Sequence, residues 1–242
     1  MLLFLVYHRV STGPPTGRYT VGVDALLSDL TAVRQSMVPV IDPGRMAAPH
    51  GPNGVVLAFD DGTVDHFQVV LPVLSDCGLP GLFYVPTGRL GEPGHLSHRM
   101  VHEVLRSGHT VGSHGHSHRR LDLMSCDAIR AELGQSRKIL RDILGEFPRH
   151  FAPPGGFFNI PVQVAAQQAG FVFLRTMQWG FNRRFDPMRI EAVPMTNALT
   201  RTMLPSVLRR RGEWLLKVAY RSKEGLRIVT ATRRRGMKGA HV

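Results

Sequence analysis

Short apolar runs alternate along the chain with longer stretches in which apolar residues recur every three or four positions. The apolar runs predict strands at Leu2–Tyr7, Val38–Ile41, Val55–Phe59, Leu82–Val85, Thr110–Gly112, Phe171–Leu174 and Ile190–Val193. The recurring stretches predict helices over Asp24–Gln35, Ser97–Arg106, Cys126–Leu144 and Met203–Tyr220. Alternating strands and helices are typical of parallel strands joined by helical crossovers, and about seven strands in one unit favour a barrel over an open sheet.

Length and composition fit one soluble globular domain. The chain has 242 residues, of which 43% are apolar and 20% are charged. The first apolar run, Met1 to Tyr7, is shorter than the roughly 20 residues that span a bilayer, and it lacks the basic start and cleavage site of a signal peptide. We therefore expect a cytoplasmic protein. Cys77 and Cys126 are far apart, so neither a disulfide framework nor a cysteine zinc site is expected.

The net charge of +12 is concentrated near the end of the chain. Residues 201–242 contain twelve Lys or Arg and two Asp or Glu, a net charge of +10, which leaves +2 on residues 1–200. We therefore predict a globular domain over residues 1–200 and a basic amphipathic helix and tail over residues 201–242. Such a tail fits an anionic membrane face, an acidic polymer, nucleic acid or plain solvation about equally well.

Polar residues follow several predicted strands directly. In a parallel barrel, residues just after the C-terminal ends of the strands gather on one rim, where active sites lie. This rule directs attention to His8, Asp60–Asp61, His114–His118 and Ala152–Gly156. Two uncompensated carboxylates after a buried strand are costly, and a metal bound by one of them reduces this cost. The competing interpretation is an Asp pair that caps the next helix.

Two histidines are candidate partners of the acidic pair in a metal site. His114 and His118 have the i, i+4 spacing that lets two rings converge on one ion, although this spacing is common by chance. Two His and one carboxylate leave coordination positions open for water and a substrate oxygen, and they suit zinc, cobalt, nickel or iron. His116, which lies between them, is expected to flank a substrate groove or to face solvent.

Two further segments have both a structural and a functional interpretation. Phe151–Gly156 is a rigid loop, in which prolines fix the backbone and glycines let it approach a ligand. An ordinary turn is the alternative. His8 is either a satisfied rim residue or a proton donor, the latter if its strand neighbours the strands that carry the metal ligands.

The ordered combination of these motifs resembles the polysaccharide deacetylase family, also called NodB-like or carbohydrate esterase family 4. Phe59-Asp60-Asp61-Gly62 is similar to its first motif, His114 and His118 to its second, and Phe151–Gly156 to its third. Tyr7-His8-Arg9-Val10 resembles the opening of a circularly permuted subgroup that includes the biofilm poly-N-acetylglucosamine deacetylases. Further similarity to that subgroup lies at Gly180, Asn182, Asp186-Pro187 and Arg189-Ile190.

The resemblance implies a distorted (β/α)7 barrel and a role for each of the rim residues. One divalent metal ion, with zinc expected first, would be bound by Asp61, His114 and His118. Asp60 would be the general base, His8 the general acid, and the Gly155 N–H would help hold the oxyanion. Substrate contacts are expected from Pro154, Gly156, His116 and Arg189.

Two departures from the family pattern bear on the site. The family often has an Arg that orients the base where this chain has Ala152, and either Arg175 or Arg189 is expected to replace it. An aromatic residue often found in the third motif is replaced by Gly155, which removes one surface on which a sugar could stack.

The resemblance implies removal of N-acetyl groups from an amino-sugar-containing polysaccharide or from its lipid-linked or nucleotide-linked precursor. The missing export signal favours a precursor at the inner membrane face, with the basic tail as a peripheral contact to anionic lipid. One alternative is hydrolysis of another non-peptide C–N bond at the same metal site. A second is a non-catalytic module that binds nucleic acid or acidic polymer through the tail. Specific nucleic-acid binding is not expected, because it leaves the rim residues unexplained.

Overall fold

The computed structural model describes residues 1–47, 51–196 and 204–208. The strands are β1 (Leu2–Tyr7), β2 (Arg9–Ser11), β3 (Thr20–Gly22), β4 (Gly54–Phe59), β5 (Leu82–Val85), β6 (Thr110–Ser113), β7 (His150–Phe151), β8 (Phe173–Leu174) and β9 (Ala192–Pro194). The α-helices are α1 (Val23–Gln35), α2 (Leu71–Cys77), α3 (His98–Arg106), α4 (Cys126–Leu144), α5 (Ile160–Gln168) and α6 (Leu204–Leu208). Within these ranges, no helix is both long and apolar enough to cross a membrane.

Seven strands form one parallel sheet in the order β8-β7-β6-β5-β4-β1-β9, and β2 and β3 form a separate pair. Ile190, just before β9, connects the two ends of this sheet. Its N–H donates to the Leu174 carbonyl over 2.9 Å, and its own carbonyl accepts the Thr176 N–H over 2.8 Å. These bonds join the ends of the curled sheet, and the predicted distorted (β/α)7 barrel is confirmed.

Strand alternation divides the core into an inner and an outer layer. Along β1, Phe4 and Val6 belong to the cluster inside the barrel, whereas Leu3 and Leu5 belong to the cluster that packs against the helices. Other members of the inner cluster are Leu2, Val56, Ala58, Leu82, Tyr84, Ala152, Phe173 and Ala192. Every second residue of these strands is therefore enclosed by the barrel.

Local sequence signals explain where the main helices begin and end. The Ser97 hydroxyl accepts the Met100 N–H over 3.2 Å at the start of α3, and the Ser125 hydroxyl accepts the Ala128 N–H over 3.3 Å at the start of α4. α4 ends at Gly145, whose φ of 79° is a left-handed conformation that glycine adopts readily. The predictions of α1, α3 and α4 are confirmed, with bounds that differ by at most one residue.

Other elements differ from the sequence prediction. The strand predicted at Val38–Ile41 is wrong: the segment makes a single bridge between Val40 and Val55, because Pro39 has no N–H for a longer ladder. Strands β2, β3 and β7, of two or three residues each, are too short to show a period and escape prediction, as do α2 and α5. Of the helix predicted over Met203–Tyr220, the structure describes only Leu204–Leu208, and these residues are helical. The other residues of the predicted helix lie outside the described ranges.

A carboxyl group is buried between α1 and the barrel. Asp29 is 1% exposed, and its side chain accepts a hydrogen bond from the Tyr7 hydroxyl over 3.1 Å. Burial raises the pKa of Asp29 from 3.8 to about 7, although the bond from Tyr7 opposes this rise. The folded state therefore holds a proton that the unfolded chain releases several pH units lower.

Asp29 predicts a fall in stability as the pH rises. Between pH 4 and 7 the unfolded state ionises Asp29 and the folded state does not, so the free energy of unfolding should decrease by about 1.4 kcal/mol per pH unit. Urea unfolding of the wild type and Asp29→Asn across this range should show that slope in their difference. Asp24→Asn, which changes an exposed carboxylate on the same helix, is the control and should follow the wild type. Parallel curves for wild type and Asp29→Asn would contradict the assignment.

Candidate active site

Three of the predicted rim residues meet at one point. The Asp61 Oδ1 atom lies 3.3 Å from His114 Nε2 and 3.0 Å from His118 Nε2. One ligand atom from each residue lies within 4.8 Å of the other two. Asp61 follows β4 and His114 follows β6, so the barrel brings the ends of separate strands together at this rim.

The hydrogen bonding of His114 tests whether these atoms fit a cation. His114 is 1% exposed, and its Nδ1 lies 2.7 Å from the Ala152 carbonyl oxygen, which can only accept. In the neutral ring the proton is therefore on Nδ1, and Nε2 presents a lone pair to the Asp61 carboxylate. Two acceptors in contact repel each other, and a cation between them removes the repulsion. A backbone carbonyl that orients the ring in this way is typical of metal-binding histidines.

The ionisation of Asp61 also fits a metal ligand. Burial by itself raises its pKa, but hydrogen bonds from His114 and His118, when their facing nitrogens carry protons in the place of a metal ion, lower it by more, so the pKa lies well below the usual range. The group is therefore a carboxylate, which is the form that binds divalent cations.

Backbone conformation at two of these residues is unusual. Among the described residues, positive φ outside glycine occurs at Met37, Asp61 and His118. Asp61 has a φ of 75° and His118 a φ of 57°, in the left-handed region that side chains disfavour. Such residues cluster at functional sites, where surrounding contacts hold them.

Asp60 projects into the barrel and is held by a buried arginine. Asp60 is 2% exposed and Arg175 is fully buried. Arg175 Nη2 donates to both carboxylate oxygens of Asp60, over 2.5 and 2.6 Å. Of the two candidates to replace the missing motif arginine, the structure places Arg175 on Asp60. Arg189 is exposed and donates instead to the Gln178 side chain over 3.1 Å.

Ala152 and Tyr84 explain how Arg175 reaches Asp60. Arg175 follows β8 by one residue and, like Phe173, points inside the barrel, where the small side chain of Ala152 is also enclosed. The guanidinium lies 5.0 Å from the centre of the Tyr84 ring, an arrangement that stabilises a buried cation.

His8 lies on the other side of Asp60. β1 pairs with β4 along its whole length, and His8 Nε2 lies 4.0 Å from the nearer Asp60 oxygen. Its ring packs against Tyr19, with 4.9 Å between ring centres. Burial lowers the pKa of His8, and the negative charges of Asp60 and Asp61 oppose this shift. The sequence makes His8 a candidate proton donor only if its strand neighbours a strand that carries a proposed metal ligand. β1 meets this condition, because it pairs with β4, which precedes Asp61.

Two residues that sequence reasoning missed hold the backbone around His8. The His8 carbonyl accepts a hydrogen bond from His66 Nε2 over 2.5 Å, and Asp65 accepts the Val10 N–H over 2.7 Å. Both residues lie just after the Asp60-Asp61-Gly62 motif, and His66 begins a short π-helical turn, a feature often found at functional sites. Their position in the sequence, a few residues after that motif, is the only signal in the sequence that points to them.

The third motif forms a tight turn beside the histidine loop. Pro154–Gly156 is a 3-10 turn in which Gly155 has a φ of 66° and Gly156 a φ of 69°. A side chain at Gly156 would overlap Met177, so glycine is required there. Pro154 approaches the Gly115 backbone closely enough that a Cβ there would lie 3.7 Å from its ring.

The other two predicted substrate residues differ in position. His116, between the candidate metal ligands His114 and His118 in the sequence, is half-buried, and its Nδ1 lies 3.0 Å from the Thr87 hydroxyl. Arg189 lines a cavity of about 330 Å³ together with Phe181, Asp186 and Glu191, and none of the other predicted site residues lines that cavity. The structure therefore does not bring Arg189 to the candidate site.

Comparison with known proteins agrees with this geometry. A family model described as polysaccharide deacetylase matches residues 47–174, more than half of the chain. The chain belongs to the polysaccharide deacetylase family. The solved structure of IcaB from Ammonifex degensii is similar to it with a TM-score of 0.76 and 26% identity, over 86% of this chain and 95% of that one.

Two curated relatives share part of their length with this member of the polysaccharide deacetylase family. A chitin deacetylase from Cryptococcus neoformans is 31% identical over 115 residues, which are 47% of this chain and 23% of that protein. A peptidoglycan-N-acetylglucosamine deacetylase from Bacillus cereus is 26% identical over 140 residues, which are 57% of this chain and 61% of that protein. The chain thus matches less than two thirds of the length of either relative.

The pairing of Arg175 with Asp60 predicts a large loss of stability when the arginine is removed. Arg175→Met should lower the free energy of unfolding of the metal-free protein by roughly 3–5 kcal/mol, because Asp60 would remain buried without its counter-charge. Urea unfolding measures the change. Arg189→Met removes an exposed arginine and should cost no more than about 0.5 kcal/mol. Similar small losses for both variants would contradict the assignment of Arg175 as the partner of Asp60.

Proposed function

We propose that this chain is a metal-dependent hydrolase that removes N-acetyl groups from an amino-sugar-containing polysaccharide or from its lipid-linked or nucleotide-linked precursor. The observation that carries the proposal is the pairing of two different carboxylates at one rim. Asp61 faces two histidine nitrogens, whereas its neighbour Asp60 is held by Arg175 and faces His8. Family membership supplies the reaction class in which such a pair is used.

Asp61, His114 and His118 would hold one divalent ion, for which zinc is the first candidate and cobalt, nickel or iron the alternatives. When bound, such an ion supplies Lewis acidity, which polarises a carbonyl oxygen and makes water more acidic. Three protein ligands leave room for both water and a substrate oxygen.

The remaining residues would divide the proton transfers between them. Asp60, oriented by Arg175, would take a proton from the attacking water as the water oxygen bonds to the acetyl carbon. The N–H of Gly155 would donate to the oxyanion. His8 would then give a proton to the departing nitrogen as the C–N bond breaks, releasing acetate and a free amino sugar. His8 Nε2 lies 4.0 Å from an Asp60 oxygen, so the proposed acid and the proposed base would border the same space.

Phe157 offers a surface for the saccharide in place of the aromatic residue missing at Gly155. A Cβ at Gly155 would lie 2.9 Å from the Phe157 ring, so this ring occupies the space of a side chain at that position. The Arg120 guanidinium lies 3.7 Å from the ring centre and fixes the ring beside the histidine loop. Pro154, Gly156 and His116 would line the same groove, and Arg189 has no place in it.

The basic segment 201–242 would attach the globular domain, residues 1–200, to the inner face of a membrane. Its net charge of +10 favours anionic lipid, and this placement favours a lipid-linked precursor as substrate. Binding to vesicles with and without anionic lipid, before and after removal of residues 209–242, tests the attachment.

Acetate release tests the proposed reaction directly. The zinc-loaded protein should release acetate from N-acetylglucosamine oligomers or from lipid-linked and nucleotide-linked N-acetylated saccharides, with an equal amount of free amine. If no acetate is released, the metal content of the same sample shows whether the protein lacked zinc or was inactive with zinc bound. Absence of acetate from the whole panel, with zinc bound, would refute the proposal.

Replacement of the base should separate metal binding from turnover. Asp60→Asn should bind zinc within a few-fold of the wild type, because Asp60 is not a proposed ligand, and should lower kcat by roughly 10²–10⁴-fold. Zinc titration and acetate release on the same preparation give both quantities. Asp76→Asn, which changes an exposed carboxylate on α2, should retain activity. Full activity of Asp60→Asn would show that another group acts as the base.

Replacement of Phe157 should reveal the contribution of sugar stacking. Phe157→Ala should raise KM for N-acetylglucosamine oligomers several-fold and leave KM for the monosaccharide nearly unchanged, because the ring would contact a neighbouring sugar unit. Phe147→Ala is a matched control: the Arg137 guanidinium lies 4.0 Å from the centre of that ring, and the ring lines a cavity to which none of the proposed site residues contributes. An unchanged KM for oligomers would remove Phe157 from the groove.

A further inference from the structure

One carboxylate on α4 binds the loop between the two candidate histidine ligands. The Glu132 Oε2 atom accepts the N–H of His116 over 3.0 Å and the N–H of Ser117 over 2.9 Å. Both amides lie between His114 and His118 in the sequence. Neither of these two hydrogen bonds involves a proposed ligand atom. A single oxygen on a neighbouring helix thus holds the middle of the ligand loop.

The shape of this loop explains why such support is needed. Gly115 has a φ of 74° and His118 a φ of 57°, so the chain turns through the left-handed region twice within four residues. His114 is anchored by its own bond to the Ala152 carbonyl. The His118 ring, by contrast, contacts the two other proposed ligands, Asp61 and His114, so its position depends on the backbone that carries it.

The face of α4 that carries Glu132 also holds the start of the loop. Ser136, one helical turn further on and fully buried, lies 2.7 Å from the Ser113 hydroxyl, which accepts the Gly115 N–H over 3.1 Å. α4 is itself anchored in the core by Leu133 and Leu140. The helix is therefore a rigid support for the loop.

The opposite edge of the loop is held by the segment after β5. The Thr87 N–H donates to the Gly115 carbonyl over 3.1 Å, and the Gly88 N–H donates to the His116 carbonyl over 2.9 Å. The carbonyls of the loop are thus bound on one side and two of its amides on the other. Without Glu132 the amides of His116 and Ser117 would lose their partner, and the loop could turn away from Asp61.

We propose that Glu132 is a positioning residue that fixes residues 114–118 in the conformation that binds the metal ion. The inference rests on the proposed metal centre and adds to it the residue that orders its second histidine. Because Glu132 orders the loop before the ion arrives, binding does not have to supply that ordering. This positioning requires a side chain long enough to bring an acceptor oxygen to the two amides, and it does not require a negative charge on that oxygen.

Three substitutions at one position separate these properties. Glu132→Ala removes the acceptor, Glu132→Gln keeps an oxygen at the same reach without the charge, and Glu132→Asp keeps the charge with a shorter reach. Zinc affinity, measured by competition with a chromophoric chelator, should fall about 10–100-fold for the Ala and Asp variants and remain within a few-fold for Gln. Gln135→Ala, at an exposed position on the same helix, is the control and should bind as the wild type does.

Amide exchange in the metal-free protein gives a second measurement that does not depend on zinc or activity. Exchange at His116 and Ser117 should be slow in the wild type and Glu132→Gln and faster in the Ala and Asp variants, while exchange in β6 stays unchanged. The unchanged β6 signal also shows that each variant is folded.

Two results would overturn the role of Glu132. One is zinc affinity in folded Glu132→Ala and Glu132→Asp equal to that of the wild type, and the other is a loss in Glu132→Gln as large as in Glu132→Ala. If the wild type itself binds no zinc, the metal centre fails, and the role of Glu132 fails with it. A wild type that binds zinc but releases no acetate refutes the proposed reaction and leaves the role of Glu132 standing.

Discussion

The site depends on the rule that every second side chain of a parallel strand points into the closed barrel. Below the rim these positions hold apolar residues, such as Phe4, Ala58 and Phe173. One step beyond the strands, the same alternation holds His8, Asp60, His114 and Arg175, on four different strands. Chemically unrelated side chains therefore meet because they occupy the next position in a repeating pattern. Asp61 does not follow this alternation. Its left-handed backbone turns its side chain toward His114 and His118, while Asp60 points into the barrel.

Burial makes the ion pair between Arg175 and Asp60 both costly and useful. Two charges removed from water are tolerated when they pair closely, and here one guanidinium nitrogen reaches both carboxylate oxygens. Both oxygens of Asp60 accept from Arg175, whereas burial raises the pKa of Asp29, at the other side of β1, to about 7. The same barrel thus contains two buried aspartates with different partners: an arginine faces Asp60 and a tyrosine faces Asp29.

Much of this could be predicted from the sequence, and the remainder depends on tertiary contacts. Continuous apolar runs predict β1 and β5, and a helical period predicts α4, so the bounds of all three agree closely with the pattern. The strand ends also indicated His8, Asp60, Asp61, His114 and His118 as a group. The choice between Arg175 and Arg189 required the structure, although the alternation from Phe173 to Arg175 was a usable signal. Glu132 gave none, because a helix-surface glutamate has the same local sequence whether it binds solvent or two amides of a distant loop.

The position of Arg175 has a consequence for how the family domain can be treated as a unit. The match to the family model ends at residue 174, one residue before this arginine, and begins at residue 47, well after His8. The matched region therefore contains the proposed metal ligands and the proposed base, but neither Arg175, which holds Asp60, nor His8, the proposed acid. A segment limited to that region would lack β1, β9 and Arg175, and with them the surroundings of Asp60. The surroundings of Asp60 therefore depend on the closure of the barrel, because Arg175 lies at the seam where the end of β8 meets Ile190.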